Sequence, residues 1–313
     1  MTRFGVQLHG SFPMWEYPAL ARAVERHPVF EELTVHDVLW WRPVWPILTL
    51  VAEHTERVLV GPDVTHPYLV HPVVIAQHVA ALDELSRGRA VLGLGRGSFL
   101  EPLGLRRRGA AEAVRETAGL VRRFLARDRT PHAGRWPAGP EAVFNWAPPR
   151  PEVPIFVGAF GPGMAEAAAA WADEVRPPGI WDTAFFCDLR ARIERAAAAL
   201  GRRVAVGCDV WVSVDRDRER ARELARAQLA RFLPQMGAMT RFYGIDPAAP
   251  VTDRVLDTLF AAGSPADLER GLERLLAAGP ATVVFSGRLG PDPHRALELL
   301  TGVVERVTGG RAG

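Results

Sequence analysis

Short apolar runs alternate with longer amphipathic stretches along almost the whole chain. The short runs, rich in β-branched residues, predict strands over residues 3–8, 33–36, 57–61, 90–95, 154–158, 173–176, 204–214 and 281–286. The longer stretches carry apolar residues at helical spacing and predict helices over residues 17–26, 45–54, 73–85, 110–126, 163–172, 183–200, 217–233, 265–277 and 293–307. Each predicted strand is therefore followed by a helix.

Repeated strand–helix units are typical of a parallel sheet covered by helices. The chain has 313 residues, and about eight such units in that length fit an α/β fold of the (β/α)8 TIM-barrel class, for which about 250 residues are usual. An open doubly wound sheet is the alternative. We predict a single domain over residues 1–313, with insertions after strands 4 and 7, near residues 129–154 and 215–262.

The composition of the chain restricts where the protein is expected to be located and which classes of partner it is expected to bind. The net charge of +2 is too small to indicate nucleic-acid binding. No run of about 18 apolar residues predicts a membrane span, and the first nine residues lack the apolar core of a signal peptide. We therefore predict a cytoplasmic protein whose partner is a small molecule. Cys187 and Cys208, the two cysteines of the chain, are too few for a Cys-rich zinc site or a disulfide scaffold.

The sequence contains no lysine, so all 38 basic residues are arginine. A P-loop needs a lysine on the nucleotide phosphates, and Schiff-base enzymes need a lysine amine. P-loop ATPases, pyridoxal-phosphate enzymes and lysine aldolases are excluded.

Histidines stand where three predicted strands end. They are His9, His36 and His66, and in a barrel the loops that follow the strands carry the chemistry. Imidazole exchanges a proton near neutral pH, which makes each a candidate acid or base; a structural role is the alternative for each. Neither Asp37 nor Asp63 has metal-site spacing and no H-E-x-x-H motif occurs, so we predict no metal. The G-x-S-x-G elbow of serine hydrolases is also missing.

Two glycine-rich turns follow the predicted strands at residues 90–95 and 154–158. The first has the spacing G-x-G-x-G and differs from the dinucleotide fingerprint G-x-G-x-x-G. Glycines allow a ligand to approach the backbone, whose N–H groups can then hold a phosphate or carboxylate; an ordinary tight turn is the alternative. The candidate ligand-binding residues of the two turns are Gly95, Arg96, Gly97, Ser98, Gly158, Phe160, Gly161 and Pro162.

Tryptophans follow the second predicted strand. Aromatic walls at a barrel mouth suit a flat conjugated ring. Trp40 and Trp41 are candidates for such a wall, with core packing as the alternative, whereas we assign Trp45 to the core.

Several of these segments resemble the luciferase-like (bacterial luciferase) superfamily. The resemblance rests on VLVGPDVTHPY at residues 58–68, ALDELSRGR at 81–89, VLGLG at 91–95, PIFVG at 154–158 and LGPDP at 289–293. The run L-D-E-L-S-x-G-R, followed by a strand and a glycine turn, is specific to this superfamily. The chain is most similar to the branch of methylenetetrahydromethanopterin reductase, which uses the deazaflavin coenzyme F420.

The resemblance implies a (β/α)8 barrel that binds a flavin-like ring at the carboxyl-terminal mouth of its strands. It implies a non-prolyl cis peptide at Asp63–Val64 that backs the ring, and it places Thr65 in the same site. The two glycine turns would hold the phosphate and side chain of the cofactor. Superfamily members often dimerise, and a homodimer is left open here.

Two departures leave the proton donor open. Some deazaflavin enzymes carry an acidic residue at the position of Ser98, and here the nearest acid is Glu101. An Asp-His pair of the superfamily reads Asp37-Val38 here, so that Asp37 joins the three histidines as a catalytic candidate. We expect an F420-dependent oxidoreductase that transfers a hydride to or from an unsaturated or imine-type substrate. The alternatives are an FMN-dependent monooxygenase and a cofactor-free barrel that binds or isomerises a ligand.

Overall fold

Eight parallel strand positions close into a barrel in the structure, a computed structural model that describes residues 2–309. Met1 and residues 310–313, which the sequence places in the same domain, lie outside the described residues. The strands are β1 (Arg3–Leu8), β2 (Glu32–Val35), β3 (Leu59–Pro62), β4 (Leu92–Leu94), β5 (Ile155–Gly158), β6 (Glu174–Arg176), β7 (Ala205–Val206), β8 (Cys208–Val214), β9 (Ala261–Gly263) and β10 (Thr282–Leu289).

Helices follow the strands and cover the barrel. They are α1 (Tyr17–Glu25), α2 (Val44–Glu53), α3 (Pro72–Leu85), α4 (Ala110–Leu125), α5 (Pro162–Ala168), α6 (Thr183–Ala198), α7 (Arg218–Phe232), α8 (Gly237–Tyr243), α9 (Asp253–Leu259), α10 (Pro265–Ala277) and α11 (Pro293–Gly309). Within residues 2–309, none of these helices is both long enough and apolar enough to cross a bilayer.

Strand pairing shows how the barrel closes. One sheet has the order β3-β2-β1-β10-β8-β9 and the other β4-β5-β6-β7, with every pair parallel. Bridges from Val60 to Ala90 and from Thr65 to Leu94 join β3 to β4. Gly207 separates β7 from β8, and these two segments together form the seventh strand position, whereas β10 forms the eighth. β9 is an additional short strand that pairs with the carboxyl end of β8. The predicted TIM-barrel fold is confirmed.

The observed strands and helices differ from the predicted ones where the hydrophobic periodicity of the sequence is short or interrupted. All eight predicted strands are present, but β9 was missed because its three residues, Ala-Ala-Gly, carry no alternation. Helix α5 ends at Ala168, four residues before its predicted end. The stretch 215–262 holds α7, α8 and α9 as separate helices, whereas residues 129–154 run between α4 and β5 in largely irregular structure.

Helix α4 offers a test of packing at an exposed glycine. Gly119 lies in the middle of the helix on its exposed side, and a Cβ atom added there would meet no atom within 4 Å. We expect Gly119→Ala to raise the free energy of unfolding by about 0.5–1 kcal/mol, because alanine loses less backbone entropy in a helix than glycine does. Urea unfolding followed by tryptophan fluorescence measures the change. A loss of stability would show that this face of α4 is covered.

Candidate active site

The carboxyl ends of the strands surround a cavity that is partly open to solvent. We call it the central cavity. Nine of the residues predicted from the sequence line it, namely His36, Asp37, Asp63, Val64, Arg96, Gly97, Ser98, Gly158 and Phe160. Seven further lining residues were not predicted, namely Gln7, Val38, Pro178, Asp209, Trp211, Phe232 and Gln235. The fold thus brings most of the predicted strand-end residues into one place.

A second depression, here called the side cleft, adjoins the central cavity. Arg96, Gly158, Phe160 and Gln235 line both. The remainder of the side cleft is formed by the turn between β5 and α5 and by the start of α8, namely Ala159, Gly161, Pro162, Gly163, Met164, Gly237, Ala238 and Arg241. A ligand with a compact head and an extended tail could therefore occupy both at once.

The peptide bond between Asp63 and Val64 is cis, as the sequence resemblance implied. Gln7 donates from Nε2 to the Asp63 carbonyl oxygen over 3.0 Å, and the Thr34 hydroxyl donates to Asp63 Oδ2 over 3.2 Å. Burial raises the pKa of the Asp63 carboxyl to about 6, against the opposing charge of Arg176. Backbone and side chain of this residue are thus both held by neighbouring strands.

Two glycines make room for the Val64 side chain. A Cβ atom on Gly95 would overlap Val64 Cγ2, and one on Gly158 would lie 3.0 Å from Val64 Cγ1. Gly95 itself lies outside the cavity lining. Gly95 was predicted to contact a ligand, but in the structure it contacts Val64, and Val64 lines the cavity.

His36 and Asp37 follow β2 directly and are half-buried in the cavity lining. Burial lowers the pKa of His36 to about 4, so the imidazole is neutral near physiological pH. Burial raises the pKa of Asp37, and a hydrogen bond with the Thr65 side chain acts in the opposite direction. Thr65 lies behind Asp37, outside the lining.

His9 and Trp41 pack against each other beside the cavity, outside its lining. Their ring centroids are 3.7 Å apart, and His9 Nδ1 lies 2.7 Å from the Ser11 hydroxyl. Burial lowers the pKa of His9 to about 3. The predicted aromatic wall is instead formed by Phe160, Trp211 and Phe232.

His66 supports the first glycine turn. Gly97 has a φ of +70°, and a Cβ atom there would lie 2.9 Å from the His66 ring. Burial lowers the pKa of His66 to about 4. Ser98 lines the cavity, whereas Glu101 is exposed and pairs with Arg107, so Glu101 does not replace the acid expected at Ser98.

A buried ion network lies inside the barrel near Asp63. Arg176, only 1% exposed, donates to Glu32 over 2.5 and 3.0 Å and to Glu174 over 2.7 Å. Its guanidinium carbon lies 3.8 Å from the centre of the Phe156 ring, and Arg3 reaches both glutamates from the barrel's edge. The alternation of Glu174, Val175 and Arg176 in a strand is the sequence signal for this network, which we did not predict.

Within residues 2–309, no group of three or more histidine, cysteine, aspartate or glutamate side chains is placed to hold a metal ion.

Comparison with known proteins identifies the family. The model of the luciferase-like monooxygenase family matches residues 1–284. The chain belongs to this family.

Three relatives illustrate what the chain is similar to, and the names of two of them refer to F420. The chain is 27% identical to a 5,10-methylenetetrahydromethanopterin reductase from Methanolobus tindarius over 95% of its length and 98% of the relative's. It is 31% identical to an F420-dependent glucose-6-phosphate dehydrogenase from Nakamurella multipartita, over 72% of this chain and 71% of the other. Its fold matches a coenzyme F420-dependent tetrahydromethanopterin reductase from Methanopyrus kandleri with a TM-score of 0.87 and 25% identity, covering 96% and 97% of the two chains.

Proposed function

We propose that this chain is a coenzyme F420-dependent oxidoreductase acting on a small molecule with an unsaturated or imine-type carbon. The observation that carries the proposal is the central cavity continuing into the side cleft at Arg96, Gly158, Phe160 and Gln235. The names of two relatives refer to F420 and support the same cofactor. When bound, the reduced deazaflavin supplies the hydride, and the protein supplies position, a dry environment and protons.

The central cavity suits a flat conjugated ring. Phe160, Trp211 and Phe232 provide aromatic surface, and Val64 stands between two glycine backbones as a rigid apolar support. β-Branched side chains have few rotamers. Val64 would therefore hold one face of a ring at a fixed height, and the opposite face would stay open to the substrate.

The side cleft suits an anionic tail. Arg96 lines both depressions, is half-buried, and makes no hydrogen bond to any group among residues 2–309. Burial and the positive charge of Arg107 both lower the pKa of Arg96. A bound phosphate would offset both effects, because a nearby negative charge favours the charged guanidinium. Glycines 158, 161 and 163 let such a group approach the backbone.

His36 and Asp37 are the groups we assign to proton transfer at the substrate. Both line the cavity directly after β2, with a neutral imidazole beside a carboxyl whose pKa is raised by burial. Such a pair offers a carboxyl that can exchange a proton and a neutral imidazole that can accept one. His9 and His66 would act by holding neighbouring residues in place.

Titration of the apo-protein with F420 and, in parallel, with FMN tests the proposal. Trp211 lines the cavity, so ring binding should quench tryptophan fluorescence. We expect F420 to bind at micromolar or lower concentration and more tightly than FMN. Tighter binding of FMN would favour a flavin-dependent monooxygenase, and no binding of either would favour a cofactor-free barrel.

Arg96→Gln tests the assignment of the tail. We expect the affinity for F420 to fall about tenfold, equal to about 1.4 kcal/mol, because a charge-assisted contact to the phosphate is lost. The salt dependence of binding should weaken as well. Arg106→Gln is the control, since Arg106 is an exposed arginine of the same loop and lines neither depression. Equal losses in the two variants would contradict a specific role for Arg96.

A further inference from the structure

Asp209 is a buried acid with no assigned role. It lies on β8, is 3% exposed, and lines the central cavity together with Trp211, two residues further along the same face of the strand. Its Oδ1 atom is buried without a hydrogen-bond partner, and no ion pair among residues 2–309 involves its carboxyl. A buried polar atom normally has a hydrogen-bond partner, so the missing partner of Asp209 Oδ1 requires an explanation.

The charges around Asp209 leave it without a counter-ion. The acids facing it are Asp63, Glu32 and Glu174, and the nearest cation is Arg176. Arg176 is bound by both glutamates. Arg3, the second cation of the network, contacts the same two glutamates.

Two positive charges are therefore matched by two glutamates, and two aspartates remain. Asp63 receives a hydrogen bond from the Thr34 hydroxyl at Oδ2, whereas the buried Oδ1 of Asp209 receives none. An ionised carboxylate that is buried, unpaired and not hydrogen-bonded is strongly unfavourable. Of the two aspartates, Asp209 is the one better suited to hold a proton.

We propose that Asp209 keeps its proton in the folded protein and donates it, as a carboxylic O–H, to a hydrogen-bond acceptor of the conjugated ligand in the central cavity. The ligand part rests on the proposed function. The acceptor is a carbonyl oxygen or an imine-type nitrogen, on either the cofactor ring or the substrate. A carboxylate or phosphate is the expected tail in the side cleft and is disfavoured here, beside Glu32, Glu174 and Asp63.

The electrostatics of the site agree with this assignment. Burial raises the pKa of the Asp209 carboxyl well above its ordinary value of 3.8, and the charge of Asp63 raises it further. Arg176 acts in the opposite direction, and Glu32 and Glu174 act with Asp63. A neutral acid is a strong donor in a dry site, because few water molecules compete for its proton.

The first test uses the apo-protein and needs no ligand. Infrared spectra of the wild type should contain a protonated-carboxyl band near neutral pH that Asp209→Asn removes. Ser213→Ala is the matched control, because Ser213 lies on the same strand with a buried, unpartnered hydroxyl and lies outside the cavity lining. It should keep the band. A wild-type spectrum without this band would overturn the proposal.

Stability gives a second readout of the same proton. Because the pKa of Asp209 is raised in the folded state, its protonated carboxyl makes its full contribution to the free energy of unfolding below pH 3.8. This contribution is lost as the pH rises from 3.8 through the folded-state pKa. Asp209→Asn lacks this loss, so its urea midpoint should exceed that of the wild type by a margin that grows with pH. Asp63, with a pKa of about 6, adds a decline of the same sign to both proteins. A margin that does not change with pH would count against the proposal.

Ligand binding then distinguishes the two sources of the acceptor. If the acceptor is on the cofactor, Asp209→Ala should weaken F420 binding about tenfold, and Asp209→Asn should restore it through its amide N–H. The wild-type affinity should also fall about tenfold per pH unit above the pKa of Asp209, and the Asn variant should show no such fall. If the acceptor is on the substrate, F420 affinity stays constant and KM changes instead.

Failure of the two proposals can be told apart. If neither the wild type nor Ser213→Ala binds F420, the proposed function fails, while the infrared band still decides whether Asp209 holds a proton. If Asp209→Ala binds F420 and turns over substrate like the wild type, the donor role of Asp209 fails and the proposed function stands.

Discussion

Replacing Arg176 by methionine is expected to cost about 3–5 kcal/mol of the free energy of unfolding, the largest loss of any substitution considered for this chain. The guanidinium is 1% exposed and neutralises Glu32 and Glu174, which are themselves buried. Methionine would leave two carboxylates inside the barrel with Arg3 as their remaining cation. Since domains are stable by only about 5–15 kcal/mol, the variant should be close to unfolding.

Urea unfolding measures this loss, and the chain offers a matched control. Arg192 also pairs with two carboxylates, Asp188 at 2.9 Å and Glu166 at 3.6 Å, but its side chain is 43% exposed. Arg192→Met should therefore leave the urea midpoint almost unchanged. Similar costs for both substitutions would show that the interior network is solvated.

A compensating variant separates charge from packing. Adding Glu32→Gln and Glu174→Gln to Arg176→Met removes the uncompensated charges and should recover most of the lost stability. A triple variant as unstable as Arg176→Met alone would assign the loss to the missing contact between Arg176 and Phe156.

The second large effect is expected at Gly95. An alanine there would overlap Val64 Cγ2, and Gly158 confines the other methyl group of Val64. The valine can yield only by moving toward the central cavity. Gly95→Ala should therefore weaken F420 binding at least tenfold, about 1.4 kcal/mol, and lower the free energy of unfolding by about 1–3 kcal/mol.

The fluorescence titration measures this effect, and two further variants interpret it. Gly119→Ala is the control for binding, because its added Cβ would meet no atom within 4 Å and Gly119 lines neither depression. Adding Val64→Ala to Gly95→Ala removes the overlap and should restore stability, while ring binding stays weak because its support is gone. If Gly95→Ala alone bound F420 like the wild type, Val64 would not support the ring.

The barrel could be predicted from the sequence because its signal is repeated. Every strand position carries an apolar run, and turn residues or a helical period follow each one. The strand ends then indicated His36, Asp37, Arg96 and Gly158, because parallel strands present their carboxyl ends on one face. The fold, and the strand ends that line the candidate site, could therefore be predicted from the pattern alone.

The polar residues inside the barrel could not be predicted from the sequence. Asp209 and Trp211 alternate with apolar neighbours in β8, and a period of two defines two faces without saying which one looks into the barrel. Packing decides this, and it also decides that Trp41 lies against His9 and outside the cavity. Gln235 follows α7 in a stretch of short helices, where no strand end marks it.

The lining of the central cavity divides along the chain. Val64, Arg96 and Gly158 lie within residues 59–158, whereas Trp211 and Phe232, which add aromatic surface to the same cavity, lie within residues 205–263. Substitutions within residues 205–263 can therefore reshape the aromatic wall while Val64, Arg96 and Gly158 stay unchanged. Protein engineers could therefore exchange residues 205–263 between homologues as one segment.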